Sequence, residues 1–327
     1  MHDKISTQST LKAEPVELSS FGVKLRISVP QDLETRLLRK SSMYFPIDGS
    51  EKIALKAQPI EVTVKRGEPR ISIQDSHAIF VSNSGDDSIV ADALLITSRL
   101  LEKTLNQNGI FTLHASGVSY NGKAILLLGS YGSGKTTTAL NICINDKEIG
   151  YITGNRPYIQ MGDNKVVYGM GHVSLGTSSL VEELHIGNDY LKKIGFDPSH
   201  QTPYQAIHAS RTYFDYSVLD ITRATFPLDL KAVILIKKSP RELVSFKLDA
   251  AGDKEKRAIY SALREYSEKN YVMIGPKLIL PDITTDVEKR TRLDYAVQLA
   301  GSIQFLYAEG TLNALTSFIS SFLKGLH

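Results

Sequence analysis

"GSYGSGKTTTAL", residues 129–140, sets Gly129, Gly134, Lys135 and Thr136 at the spacing G-x-x-x-x-G-K-[ST]. That spacing suits a loop whose backbone N–H groups turn inward around an anion. Glycine allows the turn and lets a phosphate approach with no Cβ in the way. A helix beginning near Lys135 would aim its N-terminal dipole at the same point. Lys135 then offers a point charge to β- and γ-phosphates, and the Thr136 hydroxyl a ligand to Mg²⁺. Gly129, Ser130, Tyr131, Gly132, Ser133, Gly134, Lys135, Thr136 and Thr137 are the expected nucleotide-binding residues, with ATP or GTP and Mg²⁺ as ligands. Chance gives this pattern in a chain of 327 residues on the order of once in a hundred, so its surroundings matter.

The surroundings agree. "KAILLLG" (123–129) is apolar on both faces, as a central strand should be. It follows "IFTLHASGVSY" (110–120) across Asn121-Gly122, a hairpin turn signal. Thr136–Asn145 carries Ala139, Ile142 and Cys143 at helical spacing. "EIGYITGN" (148–155) and "KAVILIKKS" (231–239) read as further buried strands. Residues 177–192, 253–269 and 288–324 read as helices. The fold class is therefore α/β.

Upstream, "FGVKLRISVP" (21–30) alternates Val23, Leu25, Ile27 and Val29 with polar residues, the period of a half-buried strand. "IEVTVKRG" (60–67), "RISIQD" (70–75) and "AIFVSNSGDD" (78–87) repeat that pattern between turn residues. Residues 1–88 thus read as a small, mostly antiparallel β-rich unit. A helix over 88–109 opens the larger domain, 89–327.

Composition narrows the setting. The charged fraction is 22% and the formal net charge +3, with no concentrated basic face, so no nucleic-acid partner is expected. The first residues are polar and lack the apolar core of a signal peptide, and no apolar run is long enough for a bilayer. Cys143 is the one cysteine, which excludes an internal disulfide and a cysteine-rich metal site. A cytoplasmic protein without a membrane partner is the expectation. The C-terminal apolar stripe, which includes Ala300, Phe305, Phe318 and Leu323, reads as core or subunit contact, and a homo-oligomer is expected.

"LHASGV…GKAILLLGSYGSGKTT" resembles the HPr kinase/phosphorylase family and its bacterial kinase-like relatives, in which a "HASG/HG" segment, a turn, a strand and the phosphate loop follow in this order. The likeness covers roughly residues 110–160. It implies a P-loop kinase core of the phosphoenolpyruvate-carboxykinase-like type. It also implies an activity, transfer of the γ-phosphoryl of ATP or GTP to a small-molecule or peptide acceptor. By the same resemblance His114 would sit near the phosphates. In the family the strand after the loop helix ends in an acidic pair or in "ND(R)", whose Asp binds metal and takes the acceptor's proton. Here that strand reads "YITGNRP": Asn155 takes the place of the Asp, and Arg156 matches the Arg. His114, Lys135, Asn155 and Arg156 are thus the implied catalytic set, with Thr136 and Asn155 toward the metal. An amide can ligate Mg²⁺ but cannot accept a proton at neutral pH. A nucleotide-binding regulator without transferase activity is the alternative.

Other candidates carry less. Asp163 and Asp220 read as turn residues with some capacity for metal. The glycines of "GMGHVSLGTSS" (169–179) suggest a mobile loop with His172 and Ser174 as substrate contacts, or an ordinary hairpin. Arg211 and Arg223 have the charge to stabilise a transferring phosphoryl group, or are surface arginines.

Overall fold

The computed structural model describes residues 14–47, 53, 55–176, 179–186, 192, 211–248, 252–265, 273–274 and 278–326. The chain divides into two compact units, Met1–Leu101 with Asn270–Pro281, and Glu102–Lys269 with Asp282–His327. The units part at 101/102, within the helix Asp86–Gln107. No helix among the described residues is long and apolar enough to cross a membrane.

In the first unit β1 (Val16–Ser20), β2 (Val23–Ser28), β3 (Ile60–Arg66), β4 (Arg70–Gln74) and β5 (His77–Ser82) form one sheet in the order β1-β2-β3-β5-β4. β2 to β5 are close to where period two places them, β1 was not read from the sequence, and the sheet is mixed. β2–β3 and β3–β5 pair in parallel, β1–β2 and β4–β5 antiparallel. A parallel step needs a crossover. Helix α1 (Glu34–Ser41) lies in the crossover between β2 and β3, and its short amphipathic pattern escaped the sequence reading. Helix α2 (Asp86–Gln107) follows β5.

In the second unit the strands are β6 (Ile110–Thr112), β7 (Ser116–Tyr120), β8 (Lys123–Leu128), β9 (Gly150–Thr153), β10 (Pro157–Gln160), β11 (Lys165–Gly169), β12 (His172–Gly176), β13 (Arg211–Asp215), β14 (Leu228–Lys238), β15 (Val244–Lys247) and β18 (Gln304–Gly310). The short pair β16 (Met273–Ile274) and β17 (Leu278–Ile279) belongs to the first unit. The helices are α3 (Lys135–Asn145), α4 (Asp253–Arg264), α5 (Asp286–Ser302) and α6 (Leu312–Lys324). β14 is the centre, parallel to both β8 and β18. On β8, Ile125 and Leu127 pack with Ala139 of α3 and Leu315 of α6. Ala124, Leu126 and Leu128 pack on the opposite face with Ile259 of α4 and Tyr295 of α5. Strand alternation thus gives β8 two buried faces and the unit three layers.

One expectation fails outright. Residues 288–324 do not form a continuous helix. α5 starts at Asp286, behind a capping box in which Thr285 and Glu288 bond each other's backbone N–H. It ends at Ser302, and β18 then runs parallel to β14 before α6 begins. A buried parallel strand is apolar on both faces, and its short run blends into the flanking helical periodicity.

The sheet also closes on itself. β8 pairs β7, β7 pairs β9, β9 runs on into β10, and β10 pairs β11, which returns to β14. Both members of the antiparallel pair β6/β7 and β9/β10 are interrupted at the same level, at 113–115 and 154–156. Leu113 N donates to Pro157 O (3.3 Å) and Ala115 N to Asn155 O (3.2 Å) across the break. The expected strand 110–120 is therefore two strands joined by a kink, and the kink carries His114.

Candidate functional site

The loop between β8 and α3 has the conformation its glycines allow. Gly129 and Gly134 take φ of 153° and 90°. A Cβ on Gly129 would lie 2.6 Å from Ile236 O, so no other residue fits that close approach. The hairpin turn Asn121-Gly122 has positive φ at both residues, the geometry that Asn-Gly supplies. Lys135 is the first residue of α3 and only 7% exposed. Its Nζ donates to Gly129 O (2.8 Å) and Ser130 O (3.0 Å). The ammonium group is thus held across the loop by the loop's own carbonyls. Thr138 N caps onto Gly134 O at 2.8 Å.

Beside the loop three oxygens converge. Thr136 Oγ1 donates to Gly154 O (2.7 Å), Ser116 Oγ donates to the same carbonyl (2.6 Å), and the two hydroxyl oxygens are 3.3 Å apart. With both protons spent on Gly154 O, the lone pairs of Thr136 Oγ1 are left for a cation. The donor set is all oxygen, as Mg²⁺ requires, and neutral, so its anionic ligands would have to come from phosphate. The residues fit that ion on those terms. Ser116 was missed in the sequence. It stands two residues after His114, and only the kinked strand brings it opposite Thr136.

Gly154 is a place where nothing larger fits. A Cβ there would lie 2.6 Å from the Tyr151 hydroxyl and 2.8 Å from Thr136 Cγ2. Gly154→Ala is expected to push Thr136 off its carbonyl and to lower Mg²⁺-dependent nucleotide affinity about tenfold, within the ~1–3 kcal/mol that overpacking costs. Titrating nucleotide with and without Mg²⁺ checks it. An unchanged Mg²⁺ dependence would separate Gly154 from the cation site.

Asn155 and Arg156 follow in a turn pinned by buried Thr153. Thr153 Oγ1 accepts from Asn155 N (3.2 Å) and Arg156 N (3.1 Å) and donates to Met170 O (3.0 Å). The turn is a Thr-nucleated one, with Pro157 opening the next strand. The structure therefore brings Asn155 next to the oxygen cluster, and Ala115 bonds its carbonyl. Arg156 engages Glu102 at 4.0 Å, with both side chains largely buried, and hydrogen-bonds Tyr158. His114 N bonds Ala262 O (2.9 Å), and His114 lines a cavity of 380 Å³ with Gly129, Ser130 and Tyr131 of the loop.

The remaining candidates separate. Asp163 lies at the opposite end of the strands, in a cleft with Asp229 and Gln304, at the starts of β14 and β18. The Asp220 side chain is 85% exposed and pairs with Lys147 (3.5 Å). His172 and Ser174 sit on β12, which pairs with β13 in an antiparallel ribbon; residues 177–178 lie outside the described residues. Arg223 donates to the Tyr168 hydroxyl at 3.2 Å and lies over the rings of Tyr168 and Tyr216. Arg211 opens β13. The ribbon ends at Asp215, a carboxylate passed over in the sequence. Burial chiefly, with Cys143 and Asp215 nearby, pushes the Tyr151 hydroxyl well above its ordinary pKa, so it stays protonated beside Gly154. Lys238 is the last residue of β14. It closes on the loop: its N–H bonds Ser133 O at 2.9 Å, and its Nζ pairs with Glu183. No protein-family model matches the chain, and a search of curated proteins finds no match either.

Proposed function

We propose that the chain is an ATP- or GTP-dependent, Mg²⁺-assisted phosphotransferase of the HPr-kinase-like type, acting on a small-molecule or peptide acceptor in the cytoplasm. One observation carries the reading: a phosphate loop with its lysine drawn across the loop, flanked by the Thr136–Ser116–Gly154 oxygens and by two facing kinks that bear His114 and Asn155. The loop amides and Lys135 would hold and neutralise the β- and γ-phosphates. Thr136, Ser116 and Asn155 would hold Mg²⁺, which supplies further charge neutralisation at the phosphate oxygens. The acceptor oxygen bonds the γ-phosphorus as the bond to the β–γ bridging oxygen breaks, and the nucleoside diphosphate leaves with that electron pair. Catalysis of this kind is largely positioning and electrostatics. His114, in the cavity beside Ser130 and Tyr131, would take the acceptor's proton.

Asn155 favours a second reading, a regulator that binds nucleotide without transferring it. Incubation with γ-labelled ATP and Mg²⁺, with and without panels of hydroxyl and carboxylate acceptors, decides between them. Acceptor-dependent label transfer supports the kinase. Tight binding with no transfer and no hydrolysis supports the regulator.

A further inference from the structure

One cavity contains loop residues and another lies beyond Lys238, which bonds the loop, and they differ in chemistry. One holds His114 and the loop's first turn. The other, of 480 Å³, opens past Gly134 between the ends of β14 and β18. Resting on the phosphotransferase reading, we infer that this second cavity takes the nucleoside half of the triphosphate, which leaves the His114 cavity to the acceptor.

Direction comes from topology. The oxygen cluster at Thr136 is built from β7 and the end of β9, which lie on one side of β8; β14 and β18 lie on the other. A terminal phosphate on the cation side sends the rest of the nucleotide across β8 toward β14 and β18. Ligands of such sheets bind outside the carboxyl ends of the strands, and this cavity sits there. It borders the loop through Lys238. Lys238 N bonds Ser133 O (2.9 Å), and a Cβ on Gly134 would meet Lys238 Cβ at 3.0 Å. Ser239 N bonds Gly310 O (2.8 Å) and ties the ends of the two strands together.

Size and chemistry agree. The volume is within the ~300–1,000 Å³ of small-molecule sites. Pro240 and Leu312 offer apolar contact for a flat base, and Asn313 offers an amide donor and acceptor for its edge. Glu183 uses one carboxylate oxygen on Lys238. Its other oxygen is buried and has no hydrogen-bond partner among the described residues. A ribose hydroxyl would satisfy it, since a buried acceptor without a partner is costly.

The test titrates the full chain with Mg²⁺·ATP, Mg²⁺·2′,3′-dideoxy-ATP and Mg²⁺·tripolyphosphate. Asn313→Trp and Ser239→Trp fill the cavity, and thermal melting verifies that each is folded. Both are expected to weaken ATP binding at least about tenfold and to leave tripolyphosphate binding within about twofold of wild type. Glu183→Gln, which adds no bulk, is expected to abolish the wild-type preference for ATP over the dideoxy analogue. Unchanged ATP affinity in the folded Trp variants, or equal loss for ATP and tripolyphosphate, overturns the assignment while the phosphate loop stands. A wild type that binds neither ATP nor tripolyphosphate removes the phosphotransferase reading and this inference with it.

Discussion

Lys135→Ala is expected to weaken Mg²⁺·ATP binding roughly 10- to 100-fold and to lower phosphoryl transfer further. The ammonium lies 2.8 Å and 3.0 Å from the carbonyls of Gly129 and Ser130 in a residue 7% exposed. These two bonds hold the ammonium across the loop, where an incoming anion would meet it. A hydrogen bond to a charged group is worth about 1.5–3 kcal/mol, and each 1.4 kcal/mol is about tenfold in affinity. Transfer should fall by more, because charge on the phosphoryl oxygens redistributes in the transition state and only interactions that strengthen there raise the rate. Stability should move differently. Lys135→Met keeps most of the side-chain volume but removes the donor to two loop carbonyls, so a small fall in melting temperature is expected beside the loss of nucleotide. Calorimetry and melting on the same samples read both. Equal nucleotide affinity in wild type and Lys135→Ala would falsify the phosphate-loop assignment.

At Asn155 the outcome depends on the acceptor's charge. A positioned general base contributes about 10²–10⁴ in rate, and an amide cannot serve as one. The backbone there is held by Thr153 Oγ1 and by Ala115 N, so Asn155→Asp changes charge with little change of shape. Toward a hydroxyl acceptor the new carboxylate is expected to raise turnover, by up to about 10²-fold, as it takes the proton that His114 would otherwise take. Toward a carboxylate or phosphate acceptor it sets like charges together and should suppress turnover by a similar factor. Asn155→Ala is expected to lower turnover in either case and to leave nucleotide affinity near wild type. The readout is acceptor-dependent transfer at saturating ATP. Identical turnover in all three proteins would reduce Asn155 to a turn residue. ATP hydrolysis gained only in Asn155→Asp, with no transfer in wild type, would favour the regulator.

Much of the site was legible because its determinants are local. The phosphate loop is a matter of which backbone dihedrals successive residues allow, and Gly129, Gly134 and Lys135 declare those within one octet. Asn121-Gly122 does the same for the β7–β8 hairpin. Thr136 was named from the loop pattern and Asn155 from the family resemblance; the structure sets the Thr136 hydroxyl on Gly154 O and the Asn155 backbone next to it. Arg156 was found by the same route, and the structure shows it engaging Glu102 and Tyr158. Ser116 and Lys238 were not legible. Ser116 meets Thr136 only because β7 pairs with β9, and Lys238 meets the loop only because β14 lies beside β8. Neither proximity leaves a mark on the residues near it in the chain.

The sequence by itself determined the period of β2–β5, the α/β alternation around residues 123–155 and the turn geometry of the glycine-rich loop. Each rests on side-chain periodicity or turn preference over a few neighbouring residues. Tertiary structure alone decided that 304–310 is a strand. The short apolar run Phe305–Ala308 satisfies a buried helix and a buried strand equally well, and pairing with β14 over Ala232–Lys238 settles it. Tertiary structure likewise decided the parallel pairs of the first sheet, the aligned kinks at 113–115 and 154–156, and the cavity that His114 shares with the loop. These depend on backbone hydrogen bonds between segments tens of residues apart, and such bonds are made by N–H and C=O groups common to nearly every residue.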